Sequence, residues 1–240
     1  GGIPMKLQVG GQEIVALHSC DHMTRKDARK QGLFVKVNDM ADELCTSLGI
    51  PFVFGLPNQN NRPILEKYAG WQTLNVLQVC SVPVAGLPWG KLAQRLPVFR
   101  SIHSAFAERR LKQKEGSKQL TRSQWDGHLR NAAYYEYKQA YSNHYMLQLQ
   151  HGLAWVKCKS ALFLGDVELA AGSEFEELLA ELKSLTRSLG LSELVWMGSQ
   201  GLEETSLLAE HYPLIQGNAV CAKSLAGALP DLSKLRFTYG

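Results

Sequence analysis

Two places in this 240-residue chain end a helix in the same way and follow it with the same kind of strand. Ser47-Leu48-Gly49-Ile50 precedes Phe52-Val53-Phe54-Gly55; Ser188-Leu189-Gly190-Leu191 precedes Leu194-Val195-Trp196-Met197-Gly198. Before each glycine lies an apolar pattern of helical spacing. In the first it falls at Leu33, Val37, Met40, Leu44 and Leu48, flanked by Phe34, Ala41 and Cys45; in the second, at Phe175, Leu178, Leu179, Leu182, Leu185 and Leu189. Each spacing predicts a helix with one buried stripe. A short helix and a further strand follow in both. The order strand–helix–strand–helix–strand, met twice, points to an internal duplication. Any fold for this chain must therefore accommodate two α/β lobes in tandem.

The remaining elements fit that frame. Ile3, Met5, Leu7 and Val9 alternate as a strand does, Gly10-Gly11 is a hairpin turn, and Glu13–Met23 predicts an antiparallel return strand. The nearly all-apolar Phe52–Gly55 predicts a central strand, Pro57–Asn61 a turn, Ile64–Tyr68 a short helix and 71–82 another strand. Residues 83–120, with Pro83, Gly86, Pro88, Gly90 and Pro97, predict a connector carrying one basic helix from about Val98 to Lys114. Met146–Leu149, Leu153–Lys159 and Ala161–Leu169 predict the strands that open the second lobe. The expected division is 1–82 for the first lobe, 83–120 for the connector and 121–240 for the second lobe.

The lobes differ at one turn. From Asp21 to Ser47 there are 26 residues, and from Asp166 to Ser188 there are 22. Where the first lobe has TRKDARKQG, with Lys26, Arg29, Lys30 and Gly32, the second has AAGSE, with an acid and no base. A helix N-terminus presents unpaired N–H groups and a partial positive charge. Basic side chains and a glycine at such a turn make it a cradle for a diphosphate. The ordinary alternative is a solvated basic turn. The segment is neither GxGxxG nor a Walker A loop.

Composition narrows the classes. No apolar run reaches the roughly 18 residues of a membrane span, so no membrane association is expected. The five cysteines (Cys20, Cys45, Cys80, Cys158, Cys221) are scattered, with no CxxC pair; this argues against a zinc site or disulfide framework and predicts buried, reduced thiols in a cytoplasmic protein. The net charge of +4 is uneven: 91–145 carries 11 Lys/Arg against 4 Asp/Glu. That excess reads as a solvated helical connector; nucleic-acid binding through 91–130 rests on charge alone and would require an affinity falling steeply with salt.

Three stretches in order, IPMKLQVGGQ, SCDHMTRKDARKQGLF and FVFGLPNQNNRPILEKYAGW, resemble the GCN5-related N-acetyltransferase (GNAT) superfamily. The likeness is greatest to its large-chain branch, in which a second GNAT-like lobe follows the first. The motifs cover 1–82; from about 121 to 240 the resemblance lies in element order. The family's acyl-CoA signature, Gln/Arg-x-x-Gly-x-Gly/Ala, is matched by Arg29-Lys30-Gln31-Gly32-Leu33-Phe34, with Phe34 in place of the last small residue.

The resemblance implies a mixed sheet whose fourth and fifth strands splay apart, with the pantetheine arm of acetyl-CoA in the splay, pairing with the backbone of Asp21, His22 and Met23. The diphosphate would lie on Arg29, Lys30, Gln31, Gly32, Leu33 and Phe34, and Asn58 would stand across the gap. The second lobe would be degenerate, without the acyl-CoA loop. No metal is implied. Asp21, at the strand end, is the expected base or polar positioner; the alternative is a cap of the loop. His18, at odd separation from Asp21, would point to the opposite face, as would the neighbouring His22. The family's usual acid is a Tyr four residues before the Gly of a terminal Gly-aromatic pair. Here that pair is Gly70-Trp71, and the position holds Glu66, with Tyr68 two residues on. Asn58, Asn60 and Asn61 also have the chemistry to shape the turn. Trp125, Tyr134, Tyr135, Tyr137, Tyr141 and Tyr145 would line an acceptor groove or fill a core.

The function implied is acetyl transfer from acetyl-CoA to an amine of a small molecule, sugar or peptide by direct attack; the alternative is a non-catalytic binding or interaction module. The resemblance also implies a strand, two helices and another strand ahead of Gly1, so the native protein is expected to be longer by about 60–80 residues, given usual domain sizes. A chain truly starting at Gly1 would leave a sheet edge uncovered, with poor solubility and little activity. Arg236–Gly240 reads as a strand cut short.

Overall fold

A computed structural model describes residues 1–20, 23–28, 31–86, 89–90, 93, 96–116, 120, 126–140, 143–225 and 232–238. The fold is mixed α/β. Ten strands occur among the described residues: β1 (Gly2–Val9), β2 (Gln12–Ser19), β3 (Phe52–Gly55), β4 (Gln72–Pro83), β5 (Gly127–His128), β6 (His144–Gln148), β7 (Gly152–Cys158), β8 (Leu162–Leu169), β9 (Glu193–Ser199) and β10 (Leu214–Ser224). The α-helices are α1 (Leu33–Ser47), α2 (Arg62–Tyr68), α3 (Pro97–Lys112), α4 (Ala132–Ala140), α5 (Phe175–Ser188) and α6 (Glu203–Ala209). They form two compact units. One comprises Gly1–Leu77, Gln124–Leu129 and Gln216–Phe237; the other comprises Gln78–Ser123, Arg130–Ile215 and Thr238–Gly240.

In the first unit the strand order is β5-β1-β2-β3-β10, with β4 next to β10. Gly10 and Gly11, at φ 56° and 79°, close the β1–β2 hairpin, because the tight primed turn requires positive φ at both central positions. β3 runs parallel to β2 and antiparallel to β10. Residues of β3 alternate between two buried faces. Val53 packs with Cys45, Ile50, Leu65, Trp71, Ala219 and Cys221 under α1 and α2. Phe54 points the other way, stacked on His18 (5.0 Å) and on Phe237 (5.6 Å).

In the second unit the order is β9-β8-β7-β6, with β4 next to β9. The same grammar recurs: an antiparallel hairpin, a helix, a strand parallel to the second hairpin strand, a short helix, and a last strand. β8 and β9 are parallel from Leu162↔Leu194 to Leu164↔Trp196, as β2 and β3 are. The last strands are exchanged. β10, from the second half of the sequence, hydrogen-bonds β3 of the first unit, Cys221 facing Gly55. The later residues of β4 belong with β9, and Val84 N–H donates to Ser192 O just beyond. The spacing of apolar residues carries no signal for such an exchange.

The two repeat helices meet opposite fates. α5 buries its stripe, Phe175, Leu178, Leu179, Leu182 and Leu185, as the spacing predicts. The stripe of α1 does not follow its expectation: Val37, Met40, Leu44 and Leu48 are all exposed. α1 is rotated so that the flanking residues Phe34 and Cys45 pack on the core. The polar groups drawn to that side are satisfied there: Asn38 Nδ2 donates to Phe34 O at 2.7 Å, and Lys223 Nζ to Asp42 Oδ2 at 2.5 Å.

α3 has Arg109, Arg110 and Lys112 in its last turn, and buries His103, Ala107 and Leu111. The aromatic segment packs inside the second unit: Tyr135 and the half-buried Tyr134 contact Met146, Leu153 and Trp155. Tyr145 is buried and Tyr137 exposed; Trp125 and Tyr141 lie outside the described residues. No described helix is long and apolar enough to cross a membrane.

Candidate functional site

The parallel pairing of β2 with β3 lasts two rungs, Leu17↔Val53 and His18↔Phe54. Beyond them the strands separate. β2 ends at Ser19 rather than at Met23; Cys20 still exchanges backbone hydrogen bonds with Gly1, while the pairing with β3 stops at His18↔Phe54. At the fork, a Cβ on Gly55 would lie 2.8 Å from Ser19 O, so only glycine lets the strands meet there before they part. A cavity of about 280 Å³ opens in the fork, lined by Ser19 and Cys20 on one side and by Gly55–Asn58 on the other, with Asn61, Leu65 and Trp71 behind.

A second cavity, of about 850 Å³, lies between the segment entering α1 and the turn entering α2. Met23, Thr24, Ala28, Gly32, Leu33, Phe34 and Val35 form one wall; Asn60, Asn61, Ile64 and Tyr68 form the other. Gly32 is the N-cap of α1, in the left-handed conformation at φ 71°. The cap is a glycine, so it brings no side chain to close the helix, and the first turn holds no acidic residue; a helix start of this kind keeps a positive end. In the second unit the corresponding helix is closed: Glu174 and Glu177 form a capping box at the start of α5. One repeat thus starts its helix at a glycine without acids and the other closes it with acids.

The loop before α1 is held by local bonds. Arg25 forms an exposed ion pair with Asp27 at 2.6 Å, and Gln31 Nε2 donates to Asp27 O at 3.0 Å. Of the expected site residues, Met23, Gly32, Leu33 and Phe34 line the larger cavity, Gln31 braces the loop, and Asn58 lines the smaller cavity. Asn58 also shapes the turn: its Oδ1 accepts the N–H groups of Asn60 and Asn61, both at 3.0 Å. Asp21, His22, Arg29 and Lys30 lie outside the described residues. The cavity walls formed by Cys20, Asn61, Ile64 and Trp71 were not expected from the sequence; Gly70-Trp71 marked the end of α2 but not what its indole would face.

Glu66 is accounted for by its partners. Thr73 Oγ1 donates to its carboxylate at 2.6 Å and Arg62 Nε at 3.1 Å. The Thr73 hydrogen bond first, and the Arg62 contact next, hold the carboxyl below its ordinary pKa. Glu66 is therefore an ionised acceptor at neutral pH, with no proton to give. Tyr68 stands on the wall of the larger cavity, 56% exposed. Among the described residues no group of three or more His, Cys, Asp or Glu is placed to hold a metal ion.

No family model matches the sequence, and no curated protein matches it. Solved structures do. A GCN5-related N-acetyltransferase from Kribbella flavida aligns over 93% of this chain and 56% of its own, at 12% identity and TM-score 0.56. A conserved protein of unknown function from Enterococcus faecalis V583, described as a probable N-acyltransferase, aligns over 93% and 58% at 11% identity and TM-score 0.57. The N-myristoyltransferase of Saccharomyces cerevisiae with bound myristoyl-CoA aligns over 96% and 67% at 11% identity and TM-score 0.53. At these identities the likeness establishes a fold, that of the GCN5-related N-acetyltransferases. The chain spans less than two thirds of the length of the first two.

Proposed function

We propose that the chain is part of an acyl-CoA-dependent N-acyltransferase that moves an acetyl group from acetyl-CoA to an amine of a small molecule, sugar or peptide. The observation that carries this reading is the fork between β2 and β3, with a helix that starts at Gly32, without acids in its first turn, on the wall of the adjoining cavity. The gap between the parting strands suits an extended amide-bearing arm, which would add as a strand beyond Cys20. A helix start without acids, preceded in the sequence by Arg29 and Lys30, suits a diphosphate. The first lobe, 1–82, would bind the donor; the second lobe, 121–240, whose equivalent helix is capped by Glu174, would not; and 83–120 would connect them.

Acetyl-CoA supplies a thioester carbonyl and a thiolate leaving group. The residues of this chain must orient it, admit an amine and remove the proton the amine loses. Asp21, one residue past the fork, is the proposed base or polar positioner. His22 and Met23 would add backbone contacts, and Asn58 would face the arm from β3. An alkyl thiol has a pKa of about 8.5, so the sulfur departs as a thiolate at modest cost. An ionised Glu66 in the place of the usual acid is compatible with that chemistry. The same ionised Glu66 favours the second reading, a non-catalytic binding or interaction module. Unpaired thiols, four buried and Cys20 half-buried, suit the reducing cytoplasm, where we place the protein; nucleic acid and membrane are not proposed as partners.

The test is turnover. Incubated with acetyl-CoA and a panel of amines, the protein should release CoA thiol with at least one of them, and Asp21→Asn should lower kcat by about 10²–10⁴-fold, the usual contribution of a positioned base. Acetyl-CoA binding without thiol release from any amine would favour the non-catalytic reading.

A further inference from the structure

α1 turns its best apolar side to solvent. Relative exposures along the stripe are 39% for Leu33, 63% for Val37, 62% for Met40, 59% for Leu44 and 67% for Leu48. The spacing of four, three, four and four residues is that of a helix–helix seam. Together these side chains expose on the order of 500–600 Å², the upper end of what a monomer shows as a contiguous apolar patch. The inward side carries Asn38 and the Asp42–Lys223 ion pair beside Phe34 and Cys45. A helix that faces its core with those groups and solvent with Val, Met and two Leu has its apolar partner elsewhere.

We propose that this face is an interface with a second copy of the same chain, the two α1 helices packing antiparallel across a two-fold axis near Met40. Two such stripes would bury about 1,100 Å², above the roughly 1,000 Å² that a specific interface needs. The charges flanking the stripe are self-complementary. Lys36 and Glu43, both exposed, lie on the same flank of the helix and at nearly equal distances from its midpoint. A two-fold axis at the midpoint sets Lys36 of each copy opposite Glu43 of the other, so both pairs are made in the antiparallel arrangement and neither in the parallel one. The acidic balance of α1, Asp39, Asp42 and Glu43 against Lys36, disfavours an anionic lipid surface as the occupant. Leu33, at the head of the stripe, also lines the larger cavity; Met40 and Leu44, at its middle, do not.

Sedimentation equilibrium of the full chain across the micromolar range tests it. The expected result is a mass approaching twice 26.7 kDa. Met40→Glu with Leu44→Glu should give a monomer with unchanged circular dichroism and the melting temperature of the parent at dilutions where it is dissociated, since both side chains face solvent within one chain. Lys36→Glu and Glu43→Lys should each raise the dissociation constant about tenfold, and the two together should restore it to within about threefold. A monomer at the highest concentration overturns the proposal. So does a dimer that survives Met40→Glu with Leu44→Glu, a double reversal no tighter than the single ones, or a chain that stays monomeric and is retained by anionic vesicles.

Discussion

Two carboxylates, Glu66 and Asp166, are fixed by their hydrogen-bond partners. Asp166 marks in the second repeat the position that Asp21, the candidate base, marks in the first. In the structure it is buried in a salt bridge with Arg130, and Thr238 Oγ1 accepts from Arg130 Nη2 at 2.5 Å while donating to Asp166 Oδ1 at 3.2 Å. This aspartate is consumed by a structural network. Asp166→Ala should destabilise the fold by about 3–5 kcal/mol, because it leaves a buried guanidinium without its charge partner, whereas Arg130→Met with Asp166→Leu should come out near neutral. Urea titrations of the three proteins check this; equal losses in the single and double variants would contradict it. The pairing was illegible because nothing in local spacing links 130, 166 and 238. Glu66 was legible as a departure from the family's tyrosine but not as an ionised group, since Thr73 lies on the next strand. Its depressed pKa means that these contacts stabilise the fold at neutral pH and are lost as pH falls through the folded-state value.

At the scale of elements, strand alternation and helix-ending glycines were strong signals. The hairpin at Gly10-Gly11, the start of α1 at Leu33, β3 at Phe52–Gly55 and α5 all stand where the spacing predicts. The side that α1 buries was not legible. Its stripe and that of α5 have the same period, and period alone cannot say whether a partner lies under the stripe or outside it. The fork was legible only through the resemblance, yet one residue in it has a local physical cause. Gly55 admits Ser19 O at a distance that any Cβ would violate. Gly55→Ala should therefore cost about 1–3 kcal/mol, the usual range for overpacking, and should weaken donor binding as the fork is pushed open. Thermal melts with and without acetyl-CoA measure both effects; an alanine variant as stable as the parent would show that the fork is not set by this contact.

For the whole molecule, the duplication proved the most informative feature. Two lobes share the same order of elements, one starting its helix at Gly32 after a basic turn and the other at a capping box, and this difference is what places the proposed donor site in the first lobe. The exchange of last strands could not be foreseen, because β10 and β4 are apolar enough to suit either neighbour and the choice is made by tertiary packing. Solved structures at 11–12% identity share this architecture, while sequence comparison finds nothing; fold persists where the pattern of burial is kept and individual residues drift. The central claim is that acetyl-CoA sits at the turn before α1 and in the fork. Calorimetry with acetyl-CoA on this chain, and on Arg29→Glu with Gly32→Val, tests it most directly. The account predicts micromolar binding that is lost in the double variant while the variant remains folded; no binding by a folded chain, or binding that the double variant retains, would contradict it.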